Sequence, residues 1–180
     1  STADCEDEQW TYRQFDNAVK RLAAGLQAQG LNQGQRLLLH MDNSPEFLLT
    51  YFACAYLGIV AVITNTRSVA RELAGNIRLT EVVGAVTQTH LLPAIAEADP
   101  TLPLVIVSEG DRKEGKGKGS DRGSINILES GSLQQKRLAF NALLEYPGIT
   151  TQRQPDPHCG LRVQFTSGTT SEPKAVLSTH

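Results

Sequence analysis

The stretch that decides the fold is Arg36-Leu-Leu-Leu-His-Met-Asp-Asn-Ser-Pro-Glu-Phe-Leu-Leu-Thr-Tyr-Phe-Ala-Cys-Ala-Tyr-Leu-Gly-Ile-Val-Ala-Val-Ile-Thr64. Arg36 to Met41 is a short apolar run of the kind a buried strand shows. Asp42-Asn43-Ser44 breaks it. Ser44 followed by Pro45 suits the cap and first turn of a helix, because Pro has no N–H to lose there and its φ is already helical. That helix is expected to run to about Leu57, with Gly58 behind it to end it. Ile59 to Thr64 is again β-branched and apolar. Strand, helix and strand in succession point to an α/β fold with a largely parallel sheet.

Working outward, the same alternation continues on both sides. Upstream, Thr11 and Gln14 form a capping-box pattern. Phe15, Ala18, Val19, Leu22, Ala23 and Leu26 then recur at helical spacing, and Gly30 is placed to stop the helix. Downstream, the pattern predicts a helix over Ala70 to Leu79, a strand at Val82 to Thr87, a short helix from Leu91 to Ala98 and a strand at Leu104 to Val107. Ser108 to Ser124 mixes Glu109, Asp111 and Glu114 with Arg112, Lys113, Lys116 and Lys118 among five glycines. It has little to bury and reads as a flexible surface insertion. Order is expected to resume at Ile125 to Leu128 and in a helix from Ser132 to about Glu145. Pro147, Pro155 and Pro157 mark a long connection, and Leu161 to Phe165 reads as a strand.

The chain has 180 residues, with 17 Lys and Arg against 19 Asp and Glu, a net charge of −2. This balance lacks the basic excess of a general nucleic-acid binder, so no nucleic-acid partner is expected. Cys5, Cys54 and Cys159 are too few and too scattered for a disulfide framework or a zinc site; no metal-ligating protein residue is expected. Asp4, Glu6, Asp7 and Glu8 make the amino end acidic, unlike a signal peptide, and no apolar run is long enough to span a bilayer. Membrane association is not indicated, and a cytoplasmic location is expected.

The chemistry lies after the last of these strands. Thr166-Ser167-Gly168-Thr169-Thr170-Ser171-Glu172-Pro173-Lys174 carries five hydroxyls in nine residues, with one Gly and one Lys. Such a loop can turn backbone N–H and side-chain O–H groups onto one anion. Gly168 allows close backbone approach, and Lys174 supplies a formal charge. It is not a Walker A loop, since Pro173 precedes the Lys and Ala175 follows it. By composition alone a phosphate loop and a Ser/Thr-rich surface turn fit equally well. His40 and His90 have no nucleophile context, and Asn43 to Phe47 reads as a helix start rather than a catalytic carboxylate.

The ordered motif Phe165-Thr-Ser-Gly-Thr-Thr-Ser-Glu-Pro-Lys-Ala175, with Ser178-Thr179-His180 behind it, resembles the AMP-binding signature of the adenylate-forming superfamily. That superfamily includes acyl-CoA synthetases, luciferases and nonribosomal-peptide adenylation domains. Trp10-Thr-Tyr12, Leu22-Ala-Ala-Gly-Leu26, Gly34-Gln-Arg36, Asn43-Ser-Pro-Glu-Phe47 and Asn65-Thr-Arg67 stand in the order of the amino-terminal part of acyl-CoA ligases. His40 to Phe47 together with Thr170-Ser171 looks closest to the carnitine/crotonobetaine-CoA ligase branch. Ser171 and Ala175 stand where the family usually has Gly, and Ile63 where it usually has Pro.

The resemblance implies an ATP-dependent acid-thiol ligase acting on a small carboxylate, with ATP, Mg²⁺ and coenzyme A. It implies that Thr166, Ser167, Gly168, Thr169, Thr170 and Ser171 hold the nucleotide's phosphates with Lys174, and that Lys174 stabilises the leaving pyrophosphate. The Tyr-Gly-x-Thr-Glu segment and the ribose-binding Asp of the family do not occur in these residues. Residues 1–180 are therefore expected to form the first portion of the large amino-terminal domain. Alone that portion is expected to be inactive, the alternative being a non-catalytic nucleotide- or protein-binding module.

Overall fold

The computed structural model describes residues 9–109, 135–149, 157–166 and 174–179. The first helix, α1 (Tyr12–Ala28), starts as its sequence demands. Thr11 Oγ1 accepts from the Gln14 N–H at 3.3 Å, and Gln14 Oε1 accepts from the Thr11 N–H at 2.8 Å. Strand β1 (Arg36–His40) follows, then α2 (Pro45–Leu57). Ser44 Oγ caps α2 by accepting from the Phe47 N–H at 3.2 Å, and Gly58 closes it in the left-handed region at φ 69°. Strand β2 (Val60–Ile63), α3 (Ala70–Thr80), β3 (Gly84–Gln88), α4 (Leu92–Ala98) and β4 (Leu104–Ser108) continue the alternation. The remaining elements are β5 (Lys136–Ala139), the single turn α5 (Phe140–Leu143), β6 (Gly160–Thr166) and β7 (Lys174–Thr179).

The strands form one seven-stranded sheet in the order β5-β4-β3-β1-β2-β6-β7. Every neighbouring pair is parallel except β6 with β7. Helices cover both faces, which is why β1 is apolar at successive positions rather than at alternate ones. Leu37 and Leu39 pack with α1, α2 and α5, while Leu38 packs on the opposite face with Leu73 and Ile77 of α3 and Ile95 of α4. All three leucines are fully buried.

Of the helix expected over Ser132 to Glu145, the described part holds only the single turn Phe140–Leu143. Lys136–Ala139 is instead a strand, paired with β4 so that Leu138 lies beside Ile106. The Lys136 N–H donates to Pro103 O at 2.9 Å, and one helical turn follows at Phe140. The open edge of β4 supplies partners for every other backbone group of this segment, and that tertiary pairing overrides local preference. Ser108, expected to begin the surface insertion, is the buried last residue of β4. The rest of that insertion beyond Glu109, and Ile125 to Leu128, lie outside the described residues. Among the described residues no helix is long and apolar enough to cross a membrane.

Candidate functional site

In an open parallel sheet, ligands bind beyond the carboxyl ends of the strands, where the order reverses. Here the chain steps from β1 to β2 on one side and then places β3 on the other, so the reversal lies between β1 and β3. The carboxyl ends are where the described chain buries polar groups. Of eight buried polar residues among those described, His40, Thr64, Thr87, Gln88 and Ser108 lie in the last two positions of, or directly follow, β1 to β4.

Three of these form a row across the sheet. His40 Nδ1 lies 3.0 Å from Thr64 Oγ1, and Thr87 Oγ1 donates to His40 O at 2.9 Å. Burial pushes the His40 imidazole below its ordinary value, with Asp42 acting to raise it and His90 to lower it. Its Nε2 is buried with no hydrogen-bond partner among the described residues. Above the row, the Asp42 N–H donates to Gln88 Oε1 at 2.9 Å, and Asp42 Oδ2 lies 2.9 Å from His90 Nε2. The two links tie the loop after β1 to the loop after β3. This rim matches no named motif, but its signal is in the sequence. Each apolar strand run ends on a polar residue, as in Leu37-Leu-Leu-His40, Val62-Ile-Thr64, Val86-Thr-Gln88 and Val107-Ser108.

The two described ends of the hydroxyl-rich segment, Thr166 and Lys174, lie on the same side of the sheet. Strand β6 runs parallel to β2, so its carboxyl end, Thr166, points the chain to the same rim. Strand β7 returns antiparallel, and Thr166 is paired with Lys174. The two ends of the predicted loop are therefore cross-strand neighbours at the base of a hairpin. Ser167, Gly168, Thr169, Thr170 and Ser171 lie outside the described residues. Lys174 is exposed on β7. The Cys54 thiol, on the buried face of α2, is fully buried and burial pushes it up to about 12, so it stays a protonated, inert core group. Cys159 Sγ accepts from Gln33 Nε2 at 3.3 Å. Among the described residues no cluster of His, Cys, Asp and Glu could hold a metal.

Residues 2–180 match the AMP-binding enzyme family. The chain belongs to that family. Within it, the chain is 29% identical over 174 residues to the crotonobetaine/carnitine–CoA ligase of Salmonella paratyphi B, covering 96% of this chain and 31% of that protein. It is 27% identical over 170 residues to 4-coumarate–CoA ligase 4 of Arabidopsis thaliana, covering 94% of this chain and 28% of the relative. The AMP-binding fold is also that of the anthranilate CoA ligase AuaEII, solved in complex with anthranoyl-AMP. The TM-score is 0.75 at 22% identity, over 97% of this chain and 30% of that one. The chain thus spans about a third of the length of these relatives.

Proposed function

We propose that this chain supplies the leading part of the large domain of an ATP-dependent acid-thiol ligase, the part that carries the phosphate loop. The observation behind this reading is the Thr166–Lys174 pair at the base of a hairpin on the carboxyl rim of a parallel sheet, in a chain that belongs to the AMP-binding enzyme family. The donor set fits a polyphosphate. By residue type, Ser167, Thr169, Thr170 and Ser171 offer hydroxyls and Gly168 carries no side chain to bar a close backbone approach, with Thr166 and Lys174 on either side of them in sequence. In the reaction, a carboxylate oxygen bonds to the α-phosphorus of ATP and the bond to the pyrophosphate oxygen breaks. An acyl-adenylate and pyrophosphate result. The acyl group then passes to the thiol of coenzyme A, releasing AMP.

The leaving pyrophosphate gathers negative charge as its bond breaks, so donors already aimed at it lower the barrier most. Lys174 is the residue of this chain for that task, held at the loop's base by its backbone pairing with Thr166. Mg²⁺ would neutralise phosphate charge there, with a loop hydroxyl as its protein contact. No residue of this chain is assigned to the carboxylate, the ribose or coenzyme A. The acyl substrate of this reading is a small carboxylate.

Two measurements test the reading. The 180-residue chain alone should show no carboxylate-dependent ATP–pyrophosphate exchange, and robust exchange would refute its incompleteness. Calorimetry with ATP and Mg²⁺ should show binding that Lys174→Ala weakens by about tenfold or more, as loss of a charge-assisted contact does. Binding that is absent, or indifferent to Lys174→Ala, would refute the phosphate-loop assignment.

A further inference from the structure

One buried polar atom of the rim is left over. His40 is fully buried, and its Nε2 has no hydrogen-bond partner among the described residues. The bonds around the ring assign its proton. Thr64 Oγ1 carries one proton and has two neighbours, His40 Nδ1 at 3.0 Å and Leu39 O at 3.4 Å. If the hydroxyl donated to Nδ1, Leu39 O would lose that donor and Nε2 would hold a buried N–H with no acceptor. A buried N–H without an acceptor is rarer than an acceptor left unused. If instead Nδ1–H donates to Thr64 Oγ1, the hydroxyl is free to donate to Leu39 O, and Nε2 is left as a bare acceptor. The second arrangement makes one more hydrogen bond, so the ring is the Nδ1–H tautomer. Burial holds it below its ordinary value, with Asp42 and His90 of the loops above acting in opposite directions, so it is neutral at neutral pH.

We propose that His40 is a positioning residue for the phosphate loop, an inference that rests on the reading of Thr166 to Lys174 as that loop. Its Nδ1–H fixes the carboxyl end of β2, the strand on which β6 is laid before it enters the loop. The path is short. Thr64 directly follows β2, and its N–H also donates to Leu39 O at 3.2 Å, so backbone and side chain both tie it to β1. Strand β6 pairs with β2 as far as Ile63 and Gln164. The next residues along the two strands are Thr64 and Phe165. Thr166 follows at the base of the loop, paired with Lys174. On its other side His40 is held by β3, where Thr87 Oγ1 donates to the His40 carbonyl at 2.9 Å. His40, Thr64 and Thr87 are all buried, so water does not compete for these bonds. A loop that binds through donors set in advance loses affinity when its base is free to shift.

Two measurements on the full 180-residue chain test this. Long-range proton–nitrogen NMR of the isotope-labelled chain at neutral pH reads the tautomer, with the His40 signals identified by their loss in His40→Asn. A proton on Nδ1 and none on Nε2 is expected, and a proton on Nε2 overturns the proposal. Calorimetry with ATP and Mg²⁺ reads the positioning. His40→Leu removes the donor and should weaken binding by about threefold to tenfold. His40→Asn returns an amide N–H close to the place of Nδ1–H and should recover most of that loss. Thr80→Val deletes a buried hydroxyl at the opposite end of the sheet, where Arg36 Nη1 at the start of β1 donates to Thr80 O at 3.0 Å. It should leave affinity unchanged whatever it does to the melting temperature. If His40→Leu does not fold, Thr64→Val removes the same hydrogen bond from the other side and should weaken binding by the same factor. Binding that falls with Lys174→Ala but not with His40→Leu or Thr64→Val overturns this proposal and leaves the phosphate loop standing. So does an equal loss in His40→Leu and His40→Asn, or in His40→Leu and Thr80→Val. Binding that is absent, or indifferent to Lys174→Ala, overturns the phosphate-loop reading and this proposal with it.

Discussion

Replacing Gly25 by Ala tests the packing of α1 against α5, because two physical effects oppose each other there. In a free helix the change is favourable by about 1 kcal/mol, since Ala orders at less entropic cost than Gly. In this structure the new Cβ would stand 2.7 Å from Leu143 O, 2.8 Å from Leu143 Cβ and 3.0 Å from Leu143 Cα. Carbon contacts are comfortable only at about 3.5–4.0 Å. Two of the three atoms are backbone, and Leu143 is 1% exposed at the end of a helical turn that continues β5, so the neighbour cannot simply swing away. Overpacking of this kind costs about 1–3 kcal/mol, and three simultaneous overlaps argue for the upper part of that range. The net expectation is destabilisation by about 1–2 kcal/mol, or a melting point lower by roughly 2–8 °C for a chain of this size. Urea unfolding followed by circular dichroism should show a lower midpoint with an unchanged slope. Gly75→Ala is the matched control. It lies exposed in α3, nothing stands within 4 Å of its added Cβ, and the same substitution should stabilise by about 1 kcal/mol. If both variants gain stability, α5 does not press on α1 as described and the argument fails.

Other expectations follow from the core and the rim. Leu39→Ala removes a fully buried side chain from the face covered by α1 and α2 and should cost about 2–5 kcal/mol, read as a fall in urea midpoint. Thr11→Ala removes the cap of α1 and should cost about 1 kcal/mol, with most of the loss in helical signal. The depressed His40 imidazole predicts a pH effect of definite sign. The unfolded chain takes up a proton as pH falls through about 6.5, while the folded chain resists until its lower value is reached, so stability should fall across that window. Denaturant midpoints at several pH values should show this slope, and His40→Leu should flatten it. A steeper slope in the variant would contradict the assignment to His40.

Much of this molecule could be read from its sequence because the deciding signals are local. Ser44-Pro45 and Gly58 bound α2 through backbone chemistry that acts within one turn, and both ends stand where the sequence predicts them. The capping box at Thr11 and Gln14 does the same for α1. Continuous apolar runs such as Leu37-Leu-Leu39 carry the message that both faces of the sheet are covered. The hydroxyl-rich motif from Thr166 to Lys174 likewise carries the family signature by residue type and order.

What the tertiary structure decided is relational. Lys136–Ala139 has no local reason to prefer a strand to a helix, and the free edge of β4 settles it by offering hydrogen-bond partners from distant chain. The strand order brings His40, Thr64 and Thr87 side by side from positions 24 and 47 residues apart in sequence. No spacing rule within the chain reveals that. The sequence by itself determined where most of the helices and strands between Thr11 and Ser108 begin and end, because caps and periodicity act locally. Which strands are neighbours and where the polar rim lies required the folded chain, because pairing between distant strands depends on the whole sheet.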